Sequence, residues 1–113
     1  MDAFDALFDG KDPSVRVLYN HLLERLHAIR PVTVSPKQTS IHLEKNSAFA
    51  GVHPRKAYIN LKFRTDYVVD DPRIVRQEQL SARRYLHTVK LATPDDVDVQ
   101  LMNWLKDAYA LAK

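Results

Sequence analysis

Residues 57–64 read AYINLKFR, and this stretch decides the fold. Ala, Ile, Leu and Phe occupy the odd positions, and Tyr, Asn, Lys and Arg occupy the even ones. A period of two places alternate side chains on opposite faces of a β-strand. The pattern therefore predicts a strand with one face in the core and the other in solvent.

Two shorter strands are predicted upstream, over residues 39–43 and 48–53, with a turn signal at 45–47 between them. With three-residue loops on both sides of the second strand, Phe49 and Gly51 join the inner face. His53 then lies on that face near its edge, whereas His42 lies on the opposite face. This register predicts a three-stranded antiparallel meander.

Helices flank the meander. Asp12-Pro13 is typical of a helix start, and apolar residues at helical spacing continue to Pro31. Residues 85–91 predict a fourth strand with Tyr85 and His87 facing inward, and residues 93–96 predict the start of a last helix. Residues 1–11 are expected to be an irregular lead-in. The sequence thus predicts one domain over 1–113, a two-layer α+β fold in which a short antiparallel sheet of about four strands packs on an N-terminal and a C-terminal helix.

Composition excludes several classes of function. The 113 residues include no cysteine and only two glycines, so thiolate metal sites, a thiol nucleophile and a Gly-rich phosphate loop are absent. No stretch has the length of a membrane span, and the first residues do not resemble a signal peptide. We therefore expect a cytoplasmic protein without a membrane partner or a cofactor. We also expect no metal site, because His42 faces away from the other strand histidines. Residues 30–90 carry twelve basic and five acidic residues, an excess that favours an anionic partner.

Six stretches of the chain match a known pattern. They read GKDPSVR at 10–16, TSIHL at 39–43, AFAGVHPRK at 48–56, DPRI at 71–74, RYLH at 84–87 and WLKDAY at 104–109. Over nearly its whole length the chain resembles the bacterial family called domain of unknown function 5655, sometimes labelled a predicted transport protein. The resemblance implies a cytoplasmic, stand-alone domain, and it implies no established activity, cofactor or catalytic residue.

One cluster of residues predicts a binding pocket. His53, Arg84, Tyr85 and His87 are expected near one end of the sheet, where arginine, tyrosine and histidine suit a carboxylate or phosphate. The leading hypothesis is a binding module for a small anion or an acidic protein partner. The simpler alternative is a core aromatic, a hydrogen-bonded structural histidine and solvated arginines.

Two further functions stay open. His42, Tyr58, Lys62 and Arg64 predict a basic outer sheet face that suits a nucleic-acid-associated protein. A histidine of the predicted pocket also suits a small acid–base enzyme, although a non-enzymatic role is favoured. The small apolar residues Ala48, Ala50 and Val52 are compatible with a homodimer contact on the outer face.

Overall fold

A computed structural model describes residues 2–112 as a two-layer α+β domain, with a six-stranded antiparallel sheet and three α-helices. In chain order the elements are α1 Ala3–Phe8, α2 Pro13–His27, β1 Thr33–Pro36, β2 Ile41–Glu44, β3 Ala48–Pro54, β4 Ile59–Thr65, β5 Ile74–Ser81, β6 Arg84–Leu91, a 3₁₀ turn Pro94–Asp96, and α3 Val99–Leu111. The strand order is β1-β2-β3-β4-β6-β5, so β5 lies outside β6 at one edge.

The alternation in β4 is confirmed and organises the core. Ile59, Leu61 and Phe63 are fully buried on the inner face, and α3 packs across them. The ring of Phe63 stacks on Trp104 of α3 at 5.7 Å and 14°. Aromatic contact of this kind adds to the area that the two side chains bury. The inner face of the sheet is therefore covered, whereas the outward side chains of β4 are half-buried or exposed.

The predicted number of strands was wrong because two edge strands carry little apolar alternation. β1 has the sequence TVSP, which ends in a proline that cannot donate a backbone hydrogen bond. β5 has the sequence IVRQEQLS, and most of its side chains are exposed. Two shifts of register interrupt its pairing with β6, so its periodicity is broken. Pro72 and Arg73 form a turn that leads directly into β5.

The predicted register of β3 was also wrong, by one residue against β2 and by three residues against β4. Leu43 pairs with Ala50 and Glu44 pairs with Ala48, so Phe49 is the extra residue of a β-bulge. The bulge lets Phe49 remain buried while Ala50 and Val52 take the inner face. A one-residue shift reverses the face of every later side chain. Gly51 and His53 therefore lie on the outer face, beside His42.

The same correction takes Ala50 and Val52 out of the predicted dimer contact, whereas Ala48 stays half-buried at the start of β3. Ala50 is 8% exposed and Val52 is 0% exposed, and both belong to the core cluster of this chain. Neither side chain reaches the outer surface, so neither is available to a second copy.

The chain ends also differ from the prediction. The lead-in contains the helix α1, whose N-cap Asp2 accepts a hydrogen bond from the Asp5 amide at 2.8 Å. Asp12 precedes α2 without a side-chain cap bond. Thr93 and Asp96 form a capping box on the 3₁₀ turn, and α3 begins only at Val99. Between residues 2 and 112, no helix is both long and apolar enough to cross a membrane.

The register of β3 predicts a difference between two identical substitutions. Val52→Ala should lower the free energy of unfolding by about 2–3 kcal/mol, because it leaves a cavity in a closed site. Val75→Ala is the matched control, since Val75 is 59% exposed on the edge strand, and it should cost less than about 1 kcal/mol. Urea unfolding followed by Trp104 fluorescence measures both. Equal losses would contradict the register.

Candidate functional site

The outer face of the sheet has a depression at its centre. In one row across the strands, His42 of β2 pairs with Gly51 of β3, Gly51 with Lys62 of β4, and Lys62 with Thr88 of β6. Adjacent strands lie about 4.8 Å apart, so the backbones of His42 and Lys62 are roughly 10 Å apart. Gly51 has no side chain to fill that gap. The resulting hollow has a volume of about 160 Å³.

Basic groups surround the hollow on several sides. His42, His53, Lys62 and Arg64 line it, and they come from three neighbouring strands. The imidazole of His53 leans over the glycine, with Nε2 3.4 Å from the position that a Cβ of Gly51 would take. A side chain at this position would therefore crowd the ring as well as fill the hollow.

Carboxylates do not neutralise this cluster. Among residues 2–112, neither Lys62 nor Arg64 forms an ion pair. By the strand register, the acidic residues on the outer face are Glu44, at the end of β2, and Glu78, which pairs with Arg76 on β5. The side chains around Gly51 thus carry a local excess of positive charge.

The titration of His53 reflects this environment. Partial burial lowers the pKa of His53, and the nearby charges of Lys62, Arg55 and His42 lower it further. Each of these neighbouring groups disfavours a positive charge on the imidazole of His53. An anion in the hollow acts in the opposite direction, because it stabilises the protonated ring.

His87 occupies a different environment from His53. It is fully buried on the inner face, where it pairs across the strands with Phe63, and their ring centroids are 5.1 Å apart. The expectation that His53 and His87 share a pocket was wrong, because the two histidines lie on opposite faces of the sheet.

A hydrogen-bond chain assigns the tautomer of His87. The hydroxyl of Thr65 donates its single proton to the carbonyl of Tyr67 at 2.6 Å. The same Oγ1 lies 2.7 Å from His87 Nε2, so it accepts a proton from that nitrogen. The ring is therefore neutral with its proton on Nε2, and Nδ1 has no hydrogen-bond partner among the described residues. Burial lowers the pKa of His87, because a charged ring would lose its hydration.

Arg84 and Tyr85 lie apart from both histidines. Arg84 follows the β5–β6 turn, and its Nη1 donates to the carbonyl of Arg83 at 2.8 Å. Arg84 also lines a second cavity beside the end of α3, together with Arg64. Tyr85 is half-buried opposite Thr65 on the inner face. The four residues of the predicted pocket are therefore not brought together.

Three residues of the predicted basic face meet at the hollow, and the fourth does not. His42, Lys62 and Arg64 line the hollow, whereas Tyr58 lies at the end of the sheet. The Nζ atom of Lys90 lies 4.6 Å from the centre of the Tyr58 ring. This cation–π contact covers one face of the ring.

The sequence contained a signal that Gly51 and His53 join His42 on the outer face. Phe49 and Ala50 are adjacent apolar residues, and they interrupt the alternation and mark a bulge.

Residues outside the hollow have structural roles. The guanidinium of Arg73 lies 5.0 Å from the Trp104 ring and contacts Asp71 at 3.2 Å and Asp98 at 2.9 Å. Arg73 therefore connects the segment before β5 to the start of α3.

Within the described part of the chain, no three His, Asp or Glu side chains form a cluster that suits a metal ion.

The fold and the basic hollow define a two-layer α+β domain with an open, positively charged sheet face. Residues 4–112 match the family described as Domain of unknown function (DUF5655), and the chain belongs to this family. Comparisons with curated proteins and with solved structures found no match. Two of the six matching stretches, 10–16 and 48–56, are in contact in the fold, since Lys56 Nζ donates to the carbonyl of Gly10 at 2.9 Å. Gly10 has a φ of +73°, a backbone conformation that favours glycine.

The buried neutral state of His87 predicts a pH-dependent stability. As the pH decreases below about 6.5, the ordinary pKa of histidine, His87 of the unfolded chain binds a proton that the folded chain excludes. The free energy of unfolding therefore decreases as the pH decreases, until the lowered pKa of His87 in the folded chain is passed. The contribution is at most about 1.4 kcal/mol per pH unit. Replacing the ring by His87→Leu should reduce the slope between pH 6.5 and lower values, measured by urea unfolding at each pH. An unchanged slope would show that His87 is not responsible.

Proposed function

We propose that this domain is a non-enzymatic binding module for a small anion, held in the hollow around Gly51 on the outer face of the sheet. The observation that carries the proposal is the convergence of His42, His53, Lys62 and Arg64 without a carboxylate partner for the two strong bases. Charge-assisted hydrogen bonds from such groups are the usual means of binding sulfate-like, phosphate-like or carboxylate groups.

The dimensions of the hollow favour a single anionic group. Its volume is about 160 Å³, below the roughly 300–1,000 Å³ typical of sites for whole drug-sized ligands. His42 and Lys62 stand on either side of Gly51, so one tetrahedral or planar anion between them is within reach of both. Lys62 contributes a compact charge there, the imidazoles contribute ring N–H donors, and Arg64 contributes a planar fork of donors.

The other functions have less support. A nucleic-acid platform needs free aromatic faces for base stacking, and Tyr58 is already in contact with Lys90. An acid–base role for His87 needs access to substrate, but the ring is fully buried and its Nε2 is engaged by Thr65. We also propose a bacterial, cytoplasmic protein: the family resemblance implies the bacterial source, and the absence of cysteine suits a reducing compartment.

Removing one charge from the hollow should weaken anion binding. Lys62→Gln should reduce the affinity for sulfate roughly tenfold, because a charge-assisted contact is lost. Lys90→Gln is the matched control, since it removes the same charge from the same face away from the hollow. Calorimetric titration with sulfate at constant ionic strength measures both. Equal effects of the two substitutions would indicate general electrostatic attraction and contradict the proposed site.

A second variant separates shape from charge. Gly51→Val fills the hollow and pushes against the His53 ring, but it leaves the net charge unchanged. Valine suits a strand, so the fold should be retained, which circular dichroism checks. Sulfate binding should be largely lost. Unchanged binding by this folded variant would place the anion elsewhere.

Anion affinity should rise as the solution becomes more acidic. Partial burial, and after it the cationic neighbours, hold the pKa of free His53 below its usual range, and a bound anion raises it. Binding therefore takes up a proton between the two pKa values, and sulfate affinity increases as pH falls below about 6.5, until the free ring is also protonated. Sulfate keeps its charge in this range, so the change reports on the protein. In His53→Gln the pH dependence should become flatter, and an unchanged profile would exclude His53.

A further inference from the structure

The edge of the sheet at β5 has an open backbone. β5 spans Ile74–Ser81 and is the last strand of the sheet, so only β6 lies beside it. Past Ile74, no backbone group of β5 bonds to a turn or loop within residues 2–112. The N–H and C=O groups that point away from β6 are therefore available to another strand. The opposite edge, β1, has four residues and ends in a proline, so it offers fewer donors.

Apolar side chains are exposed at both ends of β5. Val75 is 59% exposed and Leu80 is 48% exposed. Both are the residues that the two register shifts leave without a partner on β6. An antiparallel copy of β5 runs in the reverse direction, so the end that carries Ile74 and Val75 meets the end that carries Leu80. A second copy of the chain thus covers apolar surface at both ends of the strand.

The charged residues of β5 favour one register for such a pair. Arg76 and Glu78 are two positions apart on one face, and they form an ion pair within the chain. A symmetric antiparallel pair centred on Gln77 places Arg76 of each copy directly opposite Glu78 of the other. Centring the pair on Arg76 or on Glu78 instead places two like charges face to face, which is unfavourable. The strand is therefore complementary in charge to itself in the Gln77 register.

We infer that this domain forms a homodimer by antiparallel pairing of β5 with β5 of a second copy, centred on Gln77. The two-fold axis is perpendicular to the sheet, so both copies contribute the same residues and the assembly closes at two chains. Backbone hydrogen bonds and the apolar ends hold the pair together, and the charges set its register. The contact is separate from the anion site, because no residue of β5 lines the hollow around Gly51.

Charge reversal tests the register. Arg76→Glu and Glu78→Arg each place like charges opposite one another, so either variant alone should raise the dimer dissociation constant at least roughly tenfold. An equimolar mixture of the two variants restores opposite charges across the interface, so it should form a heterodimer about as tight as the original dimer. Arg83→Glu is the matched control, because Arg83 is exposed on the adjacent turn, and it should dimerise normally. Sedimentation equilibrium over a range of protein concentrations measures all four samples at low ionic strength.

An introduced cysteine reports the position of the axis, since the chain has no cysteine of its own. In the proposed register Gln77 faces Gln77 of the second copy, within the roughly 4.4–6.8 Å between Cα atoms that a disulfide spans. Gln77→Cys should therefore cross-link under mild oxidation. Gln79→Cys is the matched control, because the two copies of Gln79 are about 14 Å apart in this register. It should stay uncross-linked on non-reducing electrophoresis.

The possible results distinguish the contact from its register. Sedimentation as a monomer at every concentration overturns the inference, and so does a dimer that both charge reversals leave intact. If the single variants are folded by circular dichroism but the mixture does not recover the dimer, the Gln77 register is wrong. Cross-linking of Gln79→Cys as fast as Gln77→Cys leads to the same conclusion. Recovery in the mixture together with selective cross-linking at Gln77 establishes the interface.

Discussion

The outer surface of this domain depends on one extra residue in β3. Phe49 has no partner of its own on β2, and the bulge it forms shifts the rest of the strand by one position. The shift is favoured because it buries Phe49, Ala50 and Val52 together, whereas an unbulged strand buries only alternate residues. The same shift places Gly51 outward. Core packing and the basic hollow therefore have a common origin, since the residue that completes the apolar interior also determines which side chains reach the open face.

Regular segments of the fold could be predicted from the sequence, and irregular ones could not. β4 follows a strict period of two, the inward residues of β6 alternate from Tyr85 to Leu91, and α2 follows a helical period, so each element was recognised. β5 was missed because its exposed edge position imposes no apolar pattern and its bulges interrupt what remains. The start of α3 was misplaced because Thr93 and Asp96 form a capping box on a 3₁₀ turn, and the same signal commonly begins an α-helix.

The candidate site shows a similar division. The basic character of β4 could be predicted, because Lys62 and Arg64 follow from its alternation. The partners across the sheet could not, since they depend on loop lengths and on the bulge. His53 was assigned to the face that His87 occupies, and the correct register moves it beside His42. Histidines that look equivalent in sequence thus have opposite environments: one is enclosed next to Phe63, and the other stands among cations at the surface.

The position of β5 outside β6 has a consequence for how the chain assembles. Neighbouring strands β1 to β4 and the pair β5–β6 are each joined by local connections, and such contacts form early at little cost in chain entropy. The pairing of β4 with β6 instead joins segments that lie on either side of β5 in the chain. Each part alone leaves an apolar sheet face or an open edge in water. We expect the β4–β6 pairing, which the ring contact between Phe63 and His87 supports, to be the boundary at which two locally organised halves of the polypeptide become one domain.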